Sequence, residues 1–478
     1  MRGLRILITN NTLANRAGSE LYVRDIATAL LKRGHSPIAF STVLGEVALE
    51  LREATIPVID SLDSLTTAPD IIHGQHHVET MMALFHFPST PAIYLCHGWL
   101  PWEEIPPRFP RILRYVAVDN TCRDRLAFEN AIPEERINVL LNFVDLDRFR
   151  LRAPLPPRPQ RALIFSNNAN EQSHVRAVRE ACEQTGIALD VIGLNSGNVS
   201  REPEKVLGDY DIVFAKARSA LEAMAVGAAV VLCDARALGP MVTTRELERL
   251  RLLNFGIRTL DQSIGADAIA REIANYDARD ARLVSQGIRA TAGRDAVIDG
   301  LTSVYEKVIA EHAAVGQSDS EAESRAAADY LRWLAPRLKE NERLKGERDW
   351  IEAEHNALRS RFTAHEREAE VLKSCHENET ARLHAEREQV EAEYKMLQLR
   401  FETGQREAEF SEISHSREIA HLEEQVRELT GSLEAKSAEL AKITNTLGWR
   451  LLSRYGKIKY RFLLPAYRQL QRMLGSKG

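Results

Sequence analysis

The sequence has little of what would tie it to several common protein classes. Its five cysteines (Cys96, Cys122, Cys182, Cys233 and Cys375) are scattered through 478 residues with no C-x-x-C pair. That excludes a dense disulfide framework and reads as free thiols in a reducing compartment. No histidine pairs with Asp or Glu at metal-ligand spacing, so no metal site is expected. No stretch is long and apolar enough to span a bilayer. The opening "MRGLRILITN" is basic and then apolar, but the apolar run is too short for a signal peptide and reads as a first β-strand. No G-x-G-x-x-G follows that strand, which argues against an NAD-dependent enzyme. Aromatics make up 6% of the chain, and 63 Lys and Arg stand against 68 Asp and Glu for a formal net charge of -5. So even a balance argues against a nucleic-acid partner.

What the chain does have is alternation. From 1 to about 310, short apolar runs such as "LRILIT", "DIIHG", "AIYLCHG" and "YVAVDN" are interleaved with amphipathic helical periods. This predicts βαβ units and parallel sheets. A proline-rich break, "RAPLPPRPQ", interrupts the pattern, which then restarts with "RALIFSN". The expected architecture is therefore α/β: two Rossmann-like domains, 1–152 and 153–310, facing a cleft. A polar linker is expected over 311–328. Residues 329–447 carry much Glu, Arg, Lys, Ala and Leu and little Gly or Pro. Apolar residues fall at 419, 422, 426, 429, 433, 440, 443 and 447, a 3-4 spacing interrupted at Lys436. That spacing predicts a coiled-coil seam, and with it a parallel homo-oligomer. The tail, 448–478, mixes Trp, Tyr, Phe and Leu with eight Lys and Arg and no acid. It reads as a basic amphipathic helix suited to an anionic membrane surface, with the chain cytoplasmic and peripheral on the inner face.

The chemistry is concentrated in "ARSALEAMAVGAAVVLCD", from Ala217 to Asp234. Ser219 and Glu222 spell an S-x-x-E capping box, and helix capping is one reading of the pair. The other reading starts from position. A helix starting at the carboxyl end of the "YDIVFA" strand lies where doubly wound sheets bind ligands. Its N–H groups and dipole favour a phosphate, and Lys216 and Arg218 add charge just there.

"LEAMAVGAAVV" resembles the "EAMA-x-G-x-P-V-V" element of GT-B glycosyltransferases, in particular the large retaining bacterial group known as glycosyltransferase group 1. "AGSELYVRDIATALLKRGH", "PDIIHGQHH", "YLCHGW" and "NFVDLDRF" resemble further elements of that family, in its order. The resemblance implies a transferase moving a sugar from a nucleotide diphosphate sugar to an acceptor hydroxyl. It implies retention, no metal and no cofactor besides the sugar donor as co-substrate. The acceptor would be a glycan or a lipid-linked molecule, as in assembly of a cell-surface polysaccharide or glycoconjugate. Carried over residue by residue, it makes Glu222 the partner of the donor ribose and His97 a contact of the donor sugar. It also assigns Gly18, Lys216, Arg218 and Ser219 to the donor site. The chain departs from the family at Phe214, where the first glutamate of an E-x7-E pair is expected. It also departs in the first loop, where one glycine, Gly18, stands in place of two, and at "FSNNANEQSH", where the usual Arg and Lys are missing. Lys216 and Arg218 are the expected substitutes. The alternative is a catalytically degenerate GT-B head that serves as a scaffold or nucleotide-sugar-binding module.

Overall fold

A computed structural model of the chain describes residues 3–316, 319–408 and 416–444. The chain divides into two compact units, Met1–Ala335 and Pro336–Gly478.

The first unit contains two sheets. Strands β1 (Arg5–Thr9), β2 (Ser36–Phe40), β3 (Val58–Ile59), β4 (Ile71–Gln75), β5 (Ala92–Cys96), β6 (Ile112–Ala117) and β7 (Ile137–Val139) form a parallel sheet in the order β3-β2-β1-β4-β5-β6-β7. Helices α1 (Gly18–Lys32), α2 (Glu46–Glu53), α3 (His77–His86) and α4 (Asn120–Asp124) connect them. Helix α1 buries Tyr22, Val23, Ile26, Ala27, Ala29 and Leu30. The chain turns out of α1 at Gly34, whose φ of +84° suits a residue without a Cβ.

The second sheet is built from β8 (Arg161–Phe165), β9 (Ala188–Ile192), β10 (Ile212–Ala215), β11 (Ala229–Asp234) and β12 (Ala237–Met241), in the order β12-β11-β10-β8-β9. Only β12 is antiparallel to its neighbour. Its helices are α5 (Val175–Thr185), α6 (Pro203–Val206), α7 (Ala217–Val226), α8 (Leu247–Leu252), α9 (Ala266–Ala274) and α10 (Ala278–Thr291). Strands β10 and β11 are fully buried, as parallel strands covered on both faces must be. The two expected Rossmann-like sheets are thus present, and the proline-rich break separates them.

The linker expected over 311–328 is mostly helix. Helix α11 (Arg294–Val315) returns from the second sheet to the first, where Ile298, Leu301, Val304, Tyr305 and Val308 join its core. Helix α12 (Ser320–Ala408) follows α11 with four residues between them. Asp319 accepts the N–H groups of Glu321 and Ala322 at its start, 3.0 and 3.1 Å. Polar composition alone does not distinguish a linker from the exposed side of a helix. The first turns of α12 belong to the first unit. Glu323 pairs with the buried Arg111 at 2.8 Å, and Tyr330 Oη lies 2.8 Å from His77 Nδ1.

In the second unit, α13 (Ser416–Thr444) lies antiparallel to the end of α12. Lys436 pairs with Glu386, while Leu429 and Gln425 line one groove with Leu397. Leu383, Leu397 and Leu422 are buried. Over the described residues, the apolar spacing read as a parallel seam is met by this chain's own α12 in a hairpin. A 3-4 spacing specifies that a helix has a partner but not which one or in which direction. The basic tail, 448–478, lies outside the described residues. Among the described residues, no helix is long and apolar enough to cross a membrane.

Candidate active site

Open α/β sheets bind ligands beyond the carboxyl ends of their strands, where the strand order reverses. The first sheet reverses between β1 and β4, and the second between β8 and β10. These positions bring together Thr9–Asn11, Gln75–His76, Ser166–Asn168 and Lys216–Ala217. Two of the helices that begin there do so from non-glycine residues of positive φ: His76 at +58° before α3, and Ala217 at +49° at the start of α7. The Ala217 N–H donates to Phe255 O at 2.8 Å, which helps hold this uncommon conformation.

His97 follows β5, next to this crevice. Its Nε2 lies 2.5 Å from Gln75 Oε1, and its ring meets the Tyr22 ring edge-on at 4.4 Å. Burial, with His76, His73 and Arg218 nearby, holds its pKa well below the usual histidine value. His97 is therefore neutral, and an amide oxygen at Nε2 makes that nitrogen the proton carrier. Glu104 fixes the backbone: it accepts the His97 N–H at 2.5 Å and the Gly98 N–H at 2.7 Å. Burial pushes the Glu104 pKa up to about 7, against the pull of those two N–H groups and of Arg125. A Cβ on Gly98 would lie 3.1 Å from Glu104 Oε1 and 3.2 Å from Pro101 Cδ, so a larger residue here would press on both.

Across the cleft, β10 ends at Ala215 and α7 begins at Ala217, with Lys216 alone between them. Lys216 is the N-cap residue, and α7 has no side-chain cap. Ser219 is the third residue of the helix, so the capping box does not form. Glu222 instead accepts from Arg218 Nε at 2.8 Å, one turn back. Arg218 also pairs with Asp25 of α1, across the cleft. Burial raises the Glu222 pKa, partly offset by Arg218. Lys216 pairs with Asp234 at the end of β11, and Asn168 Nδ2 lies 3.4 Å from the same carboxylate. Phe214, where the family has its first glutamate, is fully buried in β10. With a one-residue loop, that position falls within the sheet core and not in the cleft. Gly18 is the first residue of α1, and an added Cβ there would meet nothing within 4 Å.

His97, Arg218 and Glu222 are thus brought together through Tyr22 and Asp25. Lys216 sits with Asp234, and Gly18 lies at the exposed start of α1. The sequence reading missed Tyr22, Asp25, Gln75, Glu104 and Asp234. Tyr22 and Asp25 had a signal, being three residues apart on one helix face. Asp234 had another, a charge closing the apolar run "AAVVLC". Glu104 had none, because its role comes from a loop that turns back on His97.

Two doubly wound domains with ligand-binding ends turned to one cleft define a GT-B protein. Residues 16–148 match the family model of Glycosyltransferase Family 4. The structure of Anabaena Alr3699/HepE in complex with UDP is similar, with a TM-score of 0.50 and 14% identity, over 64% of this chain and 100% of that one. A glycosyltransferase from Rickettsia africae ESF-5 aligns with a TM-score of 0.49 and 15% identity, over 65% of this chain and 99% of that one. No curated protein matches the chain.

Proposed function

We propose that the chain transfers a sugar from a nucleotide diphosphate sugar to an acceptor hydroxyl. The observation that carries this reading is the meeting of Glu222 and His97 on opposite walls of the cleft, with Arg218 bonded to Glu222 and to Asp25 of α1 and with His97 packed on Tyr22 of the same helix. Glu222 binds the donor ribose hydroxyls. Arg218, Lys216 and the start of α7 stabilise the charge that develops on the diphosphate as its oxygen leaves the anomeric carbon. The electron pair of that bond goes to the phosphate. The acceptor oxygen forms the new bond to the anomeric carbon and passes its proton to the departing phosphate oxygen. Neutral His97 offers its Nε2–H to the donor sugar in place of Gln75. Charge stabilisation by these cations and the helix dipole supports a reaction independent of metal, and the resemblance of the "EAMA" element supports retention.

Calorimetry of the full chain with a panel of nucleotides tests the reading. UDP is the first to try, because the Anabaena protein binds it. Glu222→Gln keeps an acceptor for Arg218 but loses its charge, and should weaken nucleotide binding about tenfold. Lys216→Ala with Arg218→Ala should abolish diphosphate binding and spare the nucleoside. Unchanged affinities in these variants overturn the assignment. Phe214 in place of a glutamate favours a second reading, a degenerate head acting as a scaffold; failure of every nucleotide to bind would select it.

Assembly and location complete the proposal. A dimer through the helical unit would present two heads to one surface, and light scattering at low micromolar concentration reads it directly. The basic tail would hold the enzyme on an anionic membrane near a lipid-linked acceptor, with each basic residue contributing about 1 kcal/mol near the surface. Salt-sensitive co-sedimentation with anionic liposomes, lost in a chain ending at Leu447, is the expected result; equal partitioning with and without the tail removes the membrane from the proposal.

A further inference from the structure

Asp25 belongs to α1 of the first domain, yet its carboxylate is used up in a line of charges that crosses the cleft. Its Oδ2 pairs with Arg218. Its Oδ1 takes two hydrogen bonds from Arg24, 2.8 Å from Nε and 2.7 Å from Nη2. Arg24 Nη1 lies 3.0 Å from Glu50 Oε2, and Glu50 also pairs with Arg16. Arg16 Nη2 donates to the Arg201 carbonyl of the second domain at 3.0 Å, while Arg201 Nε lies 3.0 Å from Glu46. At the inner end of this line, Arg218 is bonded to Glu222. Three carboxylates (Glu222, Asp25 and Glu50) thus face three guanidinium groups (Arg218, Arg24 and Arg16).

That balance decides what can bind. A diphosphate brings at least two negative charges to Arg218, which already holds two carboxylates. In a water-poor cleft, a third anion on one guanidinium is strongly disfavoured unless a resident carboxylate leaves. Protonation does not remove Asp25 at neutral pH: burial raises its pKa, but Arg218 and Arg24 outweigh burial and hold it below the ordinary aspartate value. Glu222 is tied to Arg218 within a single helix. Asp25 comes from the other domain, so it is the carboxylate that can withdraw.

On the proposed donor role of Arg218, we infer that Asp25 is a resident anion that occupies the place of the substrate diphosphate on Arg218 and must be displaced for an anionic donor to bind. The two domains are then joined across the cleft by a contact that the substrate replaces. Donor binding exchanges an ion pair between domains for one with the ligand, which couples occupancy of the site to the closure of the cleft.

The test uses the full chain and its Asp25→Asn variant, titrated at low salt with inorganic pyrophosphate, UDP and uridine. Removing the competing carboxylate should tighten pyrophosphate and UDP about tenfold and leave uridine unchanged. Asp25→Ser is measured in parallel, in case the amide in a buried ionic line prevents folding. Equal or weaker pyrophosphate binding by a folded variant overturns the inference. The two proposals separate cleanly. If UDP binds wild type and variant alike, Asp25 is no competitor while the nucleotide-sugar reading stands. If pyrophosphate tightens but UDP binds neither protein, Asp25 is a competitor for anions and the nucleotide-sugar reading falls. If neither ligand binds either protein, both fall.

Discussion

Glu104 ties the His97 loop to the pH dependence of folding. Its carboxylate is buried, accepts the N–H groups of His97 and Gly98, and has a pKa pushed up to about 7 from 4.5. The folded protein therefore holds a proton that the unfolded chain releases. Between pH 4.5 and about 7 the native state binds more protons, so this group lowers stability as pH rises through that window. Above the window its contribution is constant. A pKa rise of that size corresponds to about 3 kcal/mol. Glu104→Gln retains a carbonyl oxygen for the two N–H groups but does not ionise. Variant and wild type should be of similar stability near pH 5, and the variant should be more stable at pH 8 by up to about 3 kcal/mol. Urea unfolding at the two pH values, followed by tryptophan fluorescence near Trp99 and Trp102, reads the difference. Other titrating groups are common to both proteins and cancel in the comparison. Parallel stability–pH curves for the two proteins would refute the reasoning, because they would mean that the buried carboxylate carries no unfavourable charge at pH 8.

Three further outcomes are expected. Arg111 is buried and donates to the carbonyl oxygens of Leu84, Phe87 and Thr90 at 2.5 to 2.8 Å, besides holding Glu323. Arg111→Met should cost about 3–5 kcal/mol in urea unfolding and expose the start of α12 to protease. Gly98→Ala, whose Cβ would press on Glu104 and Pro101, should weaken nucleotide-sugar binding more than it lowers the melting temperature, as calorimetry and a thermal melt would show. Leu397→Asp puts a charge in the α12–α13 groove, and should make α13 the first segment lost in limited proteolysis while the first unit melts unchanged.

The sheets were legible because parallel strands covered on both faces must be apolar throughout. "RILIT", "AIYLC" and "AAVVLC" stand out against any surface segment. The helix starting at Ala217 was legible from the strand before it and from Gly227 after it, whose φ of +96° is the expected C-cap. The capping box read at Ser219 does not form. A four-residue motif does not reveal where the helix starts, and here the N-cap is Lys216, three residues earlier. The linker over 311–328 failed because surface helix and linker share a polar composition.

The sequence by itself determined the two alternating blocks, the break between them, the helix of Glu222 and the helical character of residues 329–408 and 416–444. All of these follow from interactions between near neighbours or from the period of burial. Only the tertiary structure decided that Arg218 answers to Asp25, 193 residues away, that Glu104 carries the His97 loop, and that α13 pairs with its own chain. Ion pairing and burial depend on which side chains meet in space, and a carboxylate has the same letter in the sequence whether it faces water, a substrate or an arginine of another domain.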